Sequence, residues 1–524
     1  MRWIRPVLLG LVVIGVSAAE SAAATCDSLR AFNIRQGTIT SAEVVAAGPF
    51  VQAGRAGGAR GAEAGRGAAA QAAPVAAARA GGPPAAPVML PEHCRVKMVL
   101  KPSSDSNINA ELWLPTTAAW NGKFMAVGNG GFGGAIQGYT DMATALARGY
   151  ATAGNDTGHS ATDGPGGVFG LGHPEKIVDF AYRAMHEMTA QSKRVIDELY
   201  GRGPQLSYYK GCSTGGRQGV MAAQRYPEDF DGIIAGALAN RHIHQHTAGV
   251  ARNIELSRHP EQAISQTKAQ LVTTAMLNAC DTLKEGFVNN PRACSFDFKK
   301  LACAAGVDND GCLTAPQLKT VEAHYGGLKN SKGELIFSGQ ALGNAMPMLR
   351  STNSTPGGGF DTVRIWGFQN ADYDWRTFNL DRDMATIDKK VGFVDAVDPD
   401  LRDFKNRGGK LLLYAGWGDT TITPENTVLY YESVLKEMGA SQAEWMRLFM
   451  VPGMGHCGGG PGPNTFDSIA ALEQWREKST APAQIMGTNR QAGLSRPICA
   501  YPQSAKYKGT GDLKDAANWA CAAP

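Results

Sequence analysis

PQLSYYKGCSTGGRQGVMAAQRYP, residues 204–227, constrains this chain more than any other stretch. It reads as an apolar strand, a glycine-rich turn and a helix, with Gly211-Cys212-Ser213-Thr214-Gly215 at the bend. A strand that turns directly into a helix leaves room only for small side chains around the bend, hence the glycines. G-x-S-x-G as bare letters is a weak signal, but strand–turn–helix is the setting a nucleophile elbow requires.

The same rhythm recurs on both sides. VKMVLKP and INAELWLP alternate like paired strands, and KFMAVGNGGFGG (123–134) is an apolar strand entering another glycine turn. HPEKIVDFAYRAMHEMTAQSKRVIDELYG (173–201) has helical periodicity, with Ile177, Phe180, Ala184, Met188 and Val195 near one face. FDGIIAGA, KLLLYA (410–415) and WMRLFMVPG (445–453) are further short strands. Strands alternating with helices predict an α/β fold built on a mostly parallel sheet.

The rhythm fails between 238 and 396, a cysteine-bearing segment with few strand signals, read here as an inserted lid-type domain. The catalytic domain then comprises 25–237 and 397–524. Residues 46–88 are almost wholly Ala, Gly, Pro and Arg, too poor in apolar side chains to offset the entropy of ordering, and are expected to form a flexible insertion.

Residues 1–24 carry Arg2 and Arg5, an apolar run ending near Ala19, and small residues at Ala22-Ala23-Ala24. This is the pattern of a signal peptide. Its apolar run is shorter than the roughly 20 residues needed to span a bilayer. A soluble, secreted or periplasmic protein with no membrane partner is expected. The net charge of +4 on 524 residues, with no Lys/Arg block, argues against nucleic acid as a partner. Ten cysteines without a C-x-x-C favour disulfides over zinc or redox motifs, though their connectivity stays open.

A serine hydroxyl needs a base to take its proton. His173 before Pro174 reads as a helix start, and His242, His244 and His246 as a loop cluster, with a metal site as its alternative. His456 differs, because VPGMGHCGGG follows the last apolar strand, where a hydrolase of order Ser…Asp…His carries its histidine. KLLLYAGWGDTTITP supplies Asp419 after the preceding strand. The order 213, 419, 456 matches that of α/β-hydrolases and neither common serine-protease order.

Together GCSTGGRQG, GWGDTTITP and PGMGHCGGGPGP resemble the tannase and feruloyl esterase family of secreted α/β-hydrolases. The resemblance runs from near Cys94 to Pro524 and takes in VGNGG, the 173–201 helix and ADYDWRTF. It implies a serine-esterase core with a lid, acting on aromatic esters or plant polyphenols such as gallate, ferulate and chlorogenate esters. Mono(2-hydroxyethyl) terephthalate hydrolase belongs to the same family and is the alternative activity. An acyltransferase or a non-catalytic binding protein on the same fold are the competing readings. Carried over, Ser213 is the nucleophile, His456 the base, Asp419 its orienting acid, and Thr214 and Gly131 supply the oxyanion N–H groups. The resemblance also implies the pairings Cys26–Cys94, Cys212–Cys457, Cys280–Cys294, Cys303–Cys312 and Cys499–Cys521.

Trp366, Phe368, Tyr373 and Trp375 are candidates to stack on an aromatic acyl group, with core packing as the other reading. No cofactor is expected. The family's lid usually holds calcium with a pattern like C-D-x-x-D-G-x-x-D-G, whereas CDTLKEGFVNNPRAC keeps Asp281, offers Glu285 for a later aspartate and lacks about three residues. No metal site is therefore expected, with calcium held through Asp281 and Glu285 as the alternative.

Overall fold

The computed structural model describes residues 24–50, 88–351, 355–357 and 359–523. The expected leader up to residue 23, and 51–87 of the Ala/Gly-rich tract, lie outside the described residues. Residues 46–50 and 88 of that tract are described. Gly48–Pro49 pairs antiparallel with Met89–Leu90, and Phe50 N–H donates to the Val88 carbonyl.

A nine-stranded sheet organises the molecule. Its strands are β1 (Gly37–Val45), β2 (His93–Leu100), β3 (Ile108–Pro115), β4 (Lys123–Val127), β5 (Ala151–Asn155), β6 (Leu206–Cys212), β7 (Gly232–Gly236), β8 (Lys410–Gly416) and β9 (Met446–Val451). Their spatial order is β1-β2-β3-β5-β4-β6-β7-β8-β9. Pairing is antiparallel from β1 through β3 to β5 and parallel across the rest. The parallel half is covered on both faces, so β7 and β8 are buried almost throughout. β5, ATAGN, has no large apolar residue and gives no strand signal; pairing with both β3 and β4 makes it one.

Helices flank this sheet. Pro174–Val178, a π turn at Asp179–Arg183 and α1 (Ala184–Tyr200) follow without a break, and Ile177, Phe180, Ala184, Met188 and Val195 are all buried. The π turn leaves the carbonyls of Phe180 and Ala181 for the buried guanidinium of Arg217, which donates to both. α2 (Thr214–Arg225) carries Arg217 and lies close on β6 and β7. A Cβ at Gly216 would fall 2.2 Å from the Gly236 carbonyl oxygen, so this approach requires glycine.

The chain leaves the sheet at Asn240 and returns at Ala396, where the two residues bond each other reciprocally. The segment between them is mainly helical, with α3 (His242–Arg258) and α4 (Leu380–Val391) among its elements. His242, His244 and His246, read as a loop cluster, instead open α3. His244 Nδ1 lies 2.6 Å from Asp395 and Nε2 3.6 Å from Asp388 of α4. Burial opposes charge on this imidazole, but hydrogen bonds to Asp388 and Asp395 outweigh it and push its pKa up to about 9.

A histidine pKa raised from about 6.5 in the unfolded chain contributes stability that is complete below that pH. The contribution is lost as pH rises through about 9. Calorimetry should show Tm falling across that window by an amount worth about 1–3 kcal/mol. His244→Gln should flatten that slope. An unchanged slope in the variant would mean that other groups set it.

Candidate active site

Ser213 follows β6 with φ +64° and ψ −123°, a strained backbone for a residue with a side chain. Bonds on every side hold it there. Its N–H donates to the Gly236 carbonyl, and its own carbonyl accepts from Arg217 and Ala239. The neighbouring loop Gly128–Gly134 is tied to this elbow. Gly215 N–H donates to the Asn129 carbonyl at 2.7 Å, and Thr214 Oγ1 donates to the Gly131 carbonyl at 2.6 Å. Gln218 Oε1 accepts from Asn129 N–H, and Gln137 Oε1 from Gly130 N–H.

The N–H groups of Thr214 and Gly131 have no protein acceptor among the described residues. Thr214 is the first residue of α2, where an N–H has no intrahelical partner. Gly131 has φ +54°, and the space where its Cβ would stand is open. A ledge after β5 supports the turn from below. Gly134 N–H donates to the Asp156 carbonyl, and Gly133 lies so close to Thr157 that a Cβ would meet its Oγ1 at 2.0 Å. His159 Nδ1 lies 3.3 Å from that hydroxyl, and its ring stacks on Phe169 at 3.6 Å. Burial holds His159 neutral, with its pKa pushed down to about 4. Sequence reasoning missed this ledge, because its polar letters look like any loop.

Asp419 follows β8 and is fully buried. Its Oδ1 accepts the N–H groups of Thr421 and Ile422 at 2.8 and 2.9 Å, which leaves Oδ2 to face His456 Nδ1 at 2.8 Å. The loop after β9 folds back onto this turn, and a Cβ at Gly416 would strike the Met454 carbonyl. Cys457, next to His456, bonds to Cys212, next to Ser213, with a Cα–Cα separation of 5.9 Å. The other disulfides are Cys26–Cys94, Cys280–Cys294, Cys303–Cys312 and Cys499–Cys521, and no described cysteine is free. These are the pairs the resemblance implies.

Ser213, Thr214, Gly131 and His456 border one cavity, which extends between the sheet's loops and the helical segment that begins with α3. Trp366, Phe368, Tyr373 and Trp375 do not border it, which corrects their reading as acyl-stacking residues. Trp366 and Trp375 are core residues, Trp366 Nε1 donating to the Gly167 carbonyl. Phe368 stacks on Tyr373 at 4.7 Å, and Tyr373 hydroxyl donates to Asp383. The aromatic rings that reach the cavity are Phe132, Phe337, Phe360 and Phe378. Sequence reasoning passed over Phe132 although it lies inside the quoted VGNGGFGG run.

The residues in the expected calcium region do not fit that ion. Both Asp281 oxygens accept backbone N–H groups, from Glu285 and Gly286. Glu285 is paired with Arg496, a fully buried guanidinium that also donates to Asn289 and lies 3.6 Å from the centroid of Trp519. A fixed cation already neutralises the loop. Among the described residues no group of three or more His, Cys, Asp or Glu is arranged to hold a metal.

Comparison with known proteins adds a family. The model for tannase and feruloyl esterase matches residues 94–522. An uncharacterized esterase of Xanthomonas campestris pv. campestris is 34% identical over 99% of this chain and 95% of its own. The mono(2-hydroxyethyl) terephthalate hydrolase of Piscinibacter sakaiensis is 32% identical over 83% of this chain and 85% of its own. Feruloyl esterase B from Aspergillus oryzae, a solved structure, superposes with a TM-score of 0.80 at 29% identity, covering 95% of this chain and 99% of that one.

Two outcomes follow from this geometry. Arg496→Met strands the Glu285 carboxylate and should cost about 3–5 kcal/mol, whereas EDTA should leave Tm unchanged. A Tm drop with EDTA that calcium reverses would show that the loop recruits other oxygens. Removing the bond with Cys212→Ala and Cys457→Ala opens a closure spanning 245 residues, worth about 5 kcal/mol at most. At a temperature where the double variant stays folded, its kcat/KM should still fall at least tenfold, because His456 loses its tether to the Ser213 turn. Turnover near wild type would reduce the bond to a stability device.

Proposed function

The chain belongs to the tannase and feruloyl esterase family and is a carboxylic ester hydrolase of the α/β-hydrolase fold, and on that premise we propose that it is an exported serine esterase of phenolic acids. One observation carries the assignment of roles. A histidine oriented by a buried carboxylate is tethered, through adjacent cysteines, to a serine on a strained elbow.

In this reading Ser213 Oγ attacks the ester carbonyl while His456 Nε2 takes its proton. Asp419, hydrogen-bonded to Nδ1, holds the ring in the tautomer that presents Nε2 and stabilises the imidazolium that forms. The carbonyl oxygen becomes an oxyanion facing the N–H groups of Thr214 and Gly131; losing one such donor typically costs about 3 kcal/mol. Collapse breaks the bond to the alcohol, which leaves with the proton from His456. Water, deprotonated by His456, then attacks the acyl-enzyme and frees the aromatic acid and Ser213.

The ten paired cysteines support export to an oxidising compartment, and among the described residues no helix is long and apolar enough to cross a membrane. Gallate, ferulate and chlorogenate esters are the proposed substrates. The likeness to the terephthalate monoester hydrolase makes that ester the second reading. An acyltransferase would use the same acyl-enzyme and hand the acyl group to an added alcohol in preference to water.

Ser213→Ala should lower turnover at least a thousandfold while leaving the melting curve in place, and should abolish labelling by a serine-directed phosphonate. Variant turnover above a thousandth of wild type removes Ser213 from this role. A panel of methyl gallate, methyl ferulate, chlorogenate and mono(2-hydroxyethyl) terephthalate ranks the substrate readings.

A further inference from the structure

α3 opens with histidines at 242, 244 and 246, and the helix divides them. Positions four apart share a face, so His242 and His246 turn together toward the Ser213 cavity while His244 turns to Asp395 and Asp388. The two cavity rings lie 4.3 Å apart, centroid to centroid. Phe132, next in sequence to Gly131, contacts both, at 5.5 and 5.2 Å. The pair therefore stands beside the turn that holds the reacting carbonyl.

We propose that His242 and His246 form a subsite that hydrogen-bonds the phenolic hydroxyl of the substrate's acyl group. The inference rests on the phenolic-ester reading given above.

Packing does not explain these residues. His242 is 3% exposed, its Nε2 is enclosed, and that atom has no hydrogen-bond partner among the described residues; the same holds for Nδ1 of His246. Two phenylalanines would fill the space beside Phe132 and Trp366 without orphaning any nitrogen. Both imidazoles are neutral: burial pushes His246 down to about 4 and, with His246 and Arg217 adding to it, holds His242 well below its ordinary value. A neutral imidazole carries one N–H and one bare nitrogen. Enclosing a bare acceptor is more tolerable than enclosing an unpaired N–H. That assigns the His246 proton to Nε2, the nitrogen left for the cavity.

A hydroxyl on an aromatic ring matches this wall in shape and charge. It is neutral, it accepts from an imidazole N–H, and its ring packs against Phe132. A carboxylate in its place would lose water and meet two neutral imidazoles. The buried charge that bears on His242 belongs to Arg217, which already donates to the carbonyls of Phe180, Ala181 and Val394. A metal is an equally poor match, because two imidazoles stand alone there and no larger ligand group exists among the described residues.

The test compares esters that differ only in one hydroxyl: methyl p-coumarate against methyl cinnamate, and methyl 4-hydroxybenzoate against methyl benzoate. Wild type should prefer the hydroxylated member of the pair it turns over by about tenfold in kcat/KM. His246→Phe should bring that ratio to within twofold of one, and His246→Gln, which keeps a donor, should retain part of it. Phosphonate labelling and a melting curve report whether each variant is folded. Independently of any variant, p-coumarate should inhibit wild type about tenfold more tightly than cinnamate. An unchanged ratio in folded His246→Phe, or equal inhibition by the two acids, overturns the subsite. Cleavage of all four esters without preference sinks this inference alone, and cleavage of none sinks the proposed function with it.

Discussion

The Cys212–Cys457 bond joins two parts of the molecule that the sheet keeps apart. Ser213 follows β6 and His456 lies beyond β9, with β7 and β8 between them. At roughly 4.8 Å per strand that is about 14 Å of sheet, too far for a base to reach a hydroxyl. The loop after β9 must therefore double back across β8, and it does so onto glycines, with the Met454 carbonyl close against Gly416 and Gly418. Backbone bonds such as Gly418 N–H to the Met454 carbonyl, and the Asn489 amide donating to the carbonyls of Gly460, Pro461 and Gly462, hold this glycine-rich loop in place. Cross-linking it beside Ser213 fixes the one position that matters, and Asp419 then fixes the ring's rotation.

The elbow depends on close approach in the same way. Ser213 keeps its strained backbone because β7 supplies the Gly236 carbonyl and α2 supplies the Arg217 N–H, and both require helix and sheet to touch without side chains between them. Arg217 then does double duty. Its backbone belongs to the elbow helix, while its side chain fills the π turn before α1 and reaches the Val394 carbonyl, just before the chain re-enters the sheet. Elbow, flanking helix and the base of the helical segment are thereby one hydrogen-bonded unit.

What was legible in the sequence follows from this geometry. Close approach demands glycine and tight turns demand fixed spacing, so GCSTGG, GWGD and GMGHC stand out as letters, and the strands feeding them are apolar because the parallel half of the sheet is buried on both faces. The Ala151–Asn155 strand was illegible because its small residues sit under α1, where bulk would not fit, and strand propensity had nothing to report. The histidines of α3 were misread for another reason. Three alternate positions looked like a polar loop, and only the helix shows that the first and third share a face while the middle one is turned to two carboxylates. The four aromatic residues between 366 and 375 attracted attention by their type, yet type does not say which way a ring faces, and the nearby cores absorb them.

The two walls of the cavity are held in different ways. Ser213, Asp419 and His456 sit on loops pinned to the sheet by backbone bonds and a disulfide, where small shifts would be costly. The wall opposite is carried by the helical segment, which leaves and re-enters at the reciprocal pair Asn240 and Ala396 and is bonded elsewhere through contacts such as Arg217 to the Val394 carbonyl and Trp366 to the Gly167 carbonyl. α3 brings His242 and His246 to the cavity beside Phe132, next in sequence to Gly131. In the 280–294 loop a guanidinium from the C-terminal hairpin pairs with Glu285 and donates to Asn289, so the charge that balances this carboxylate is encoded in the chain.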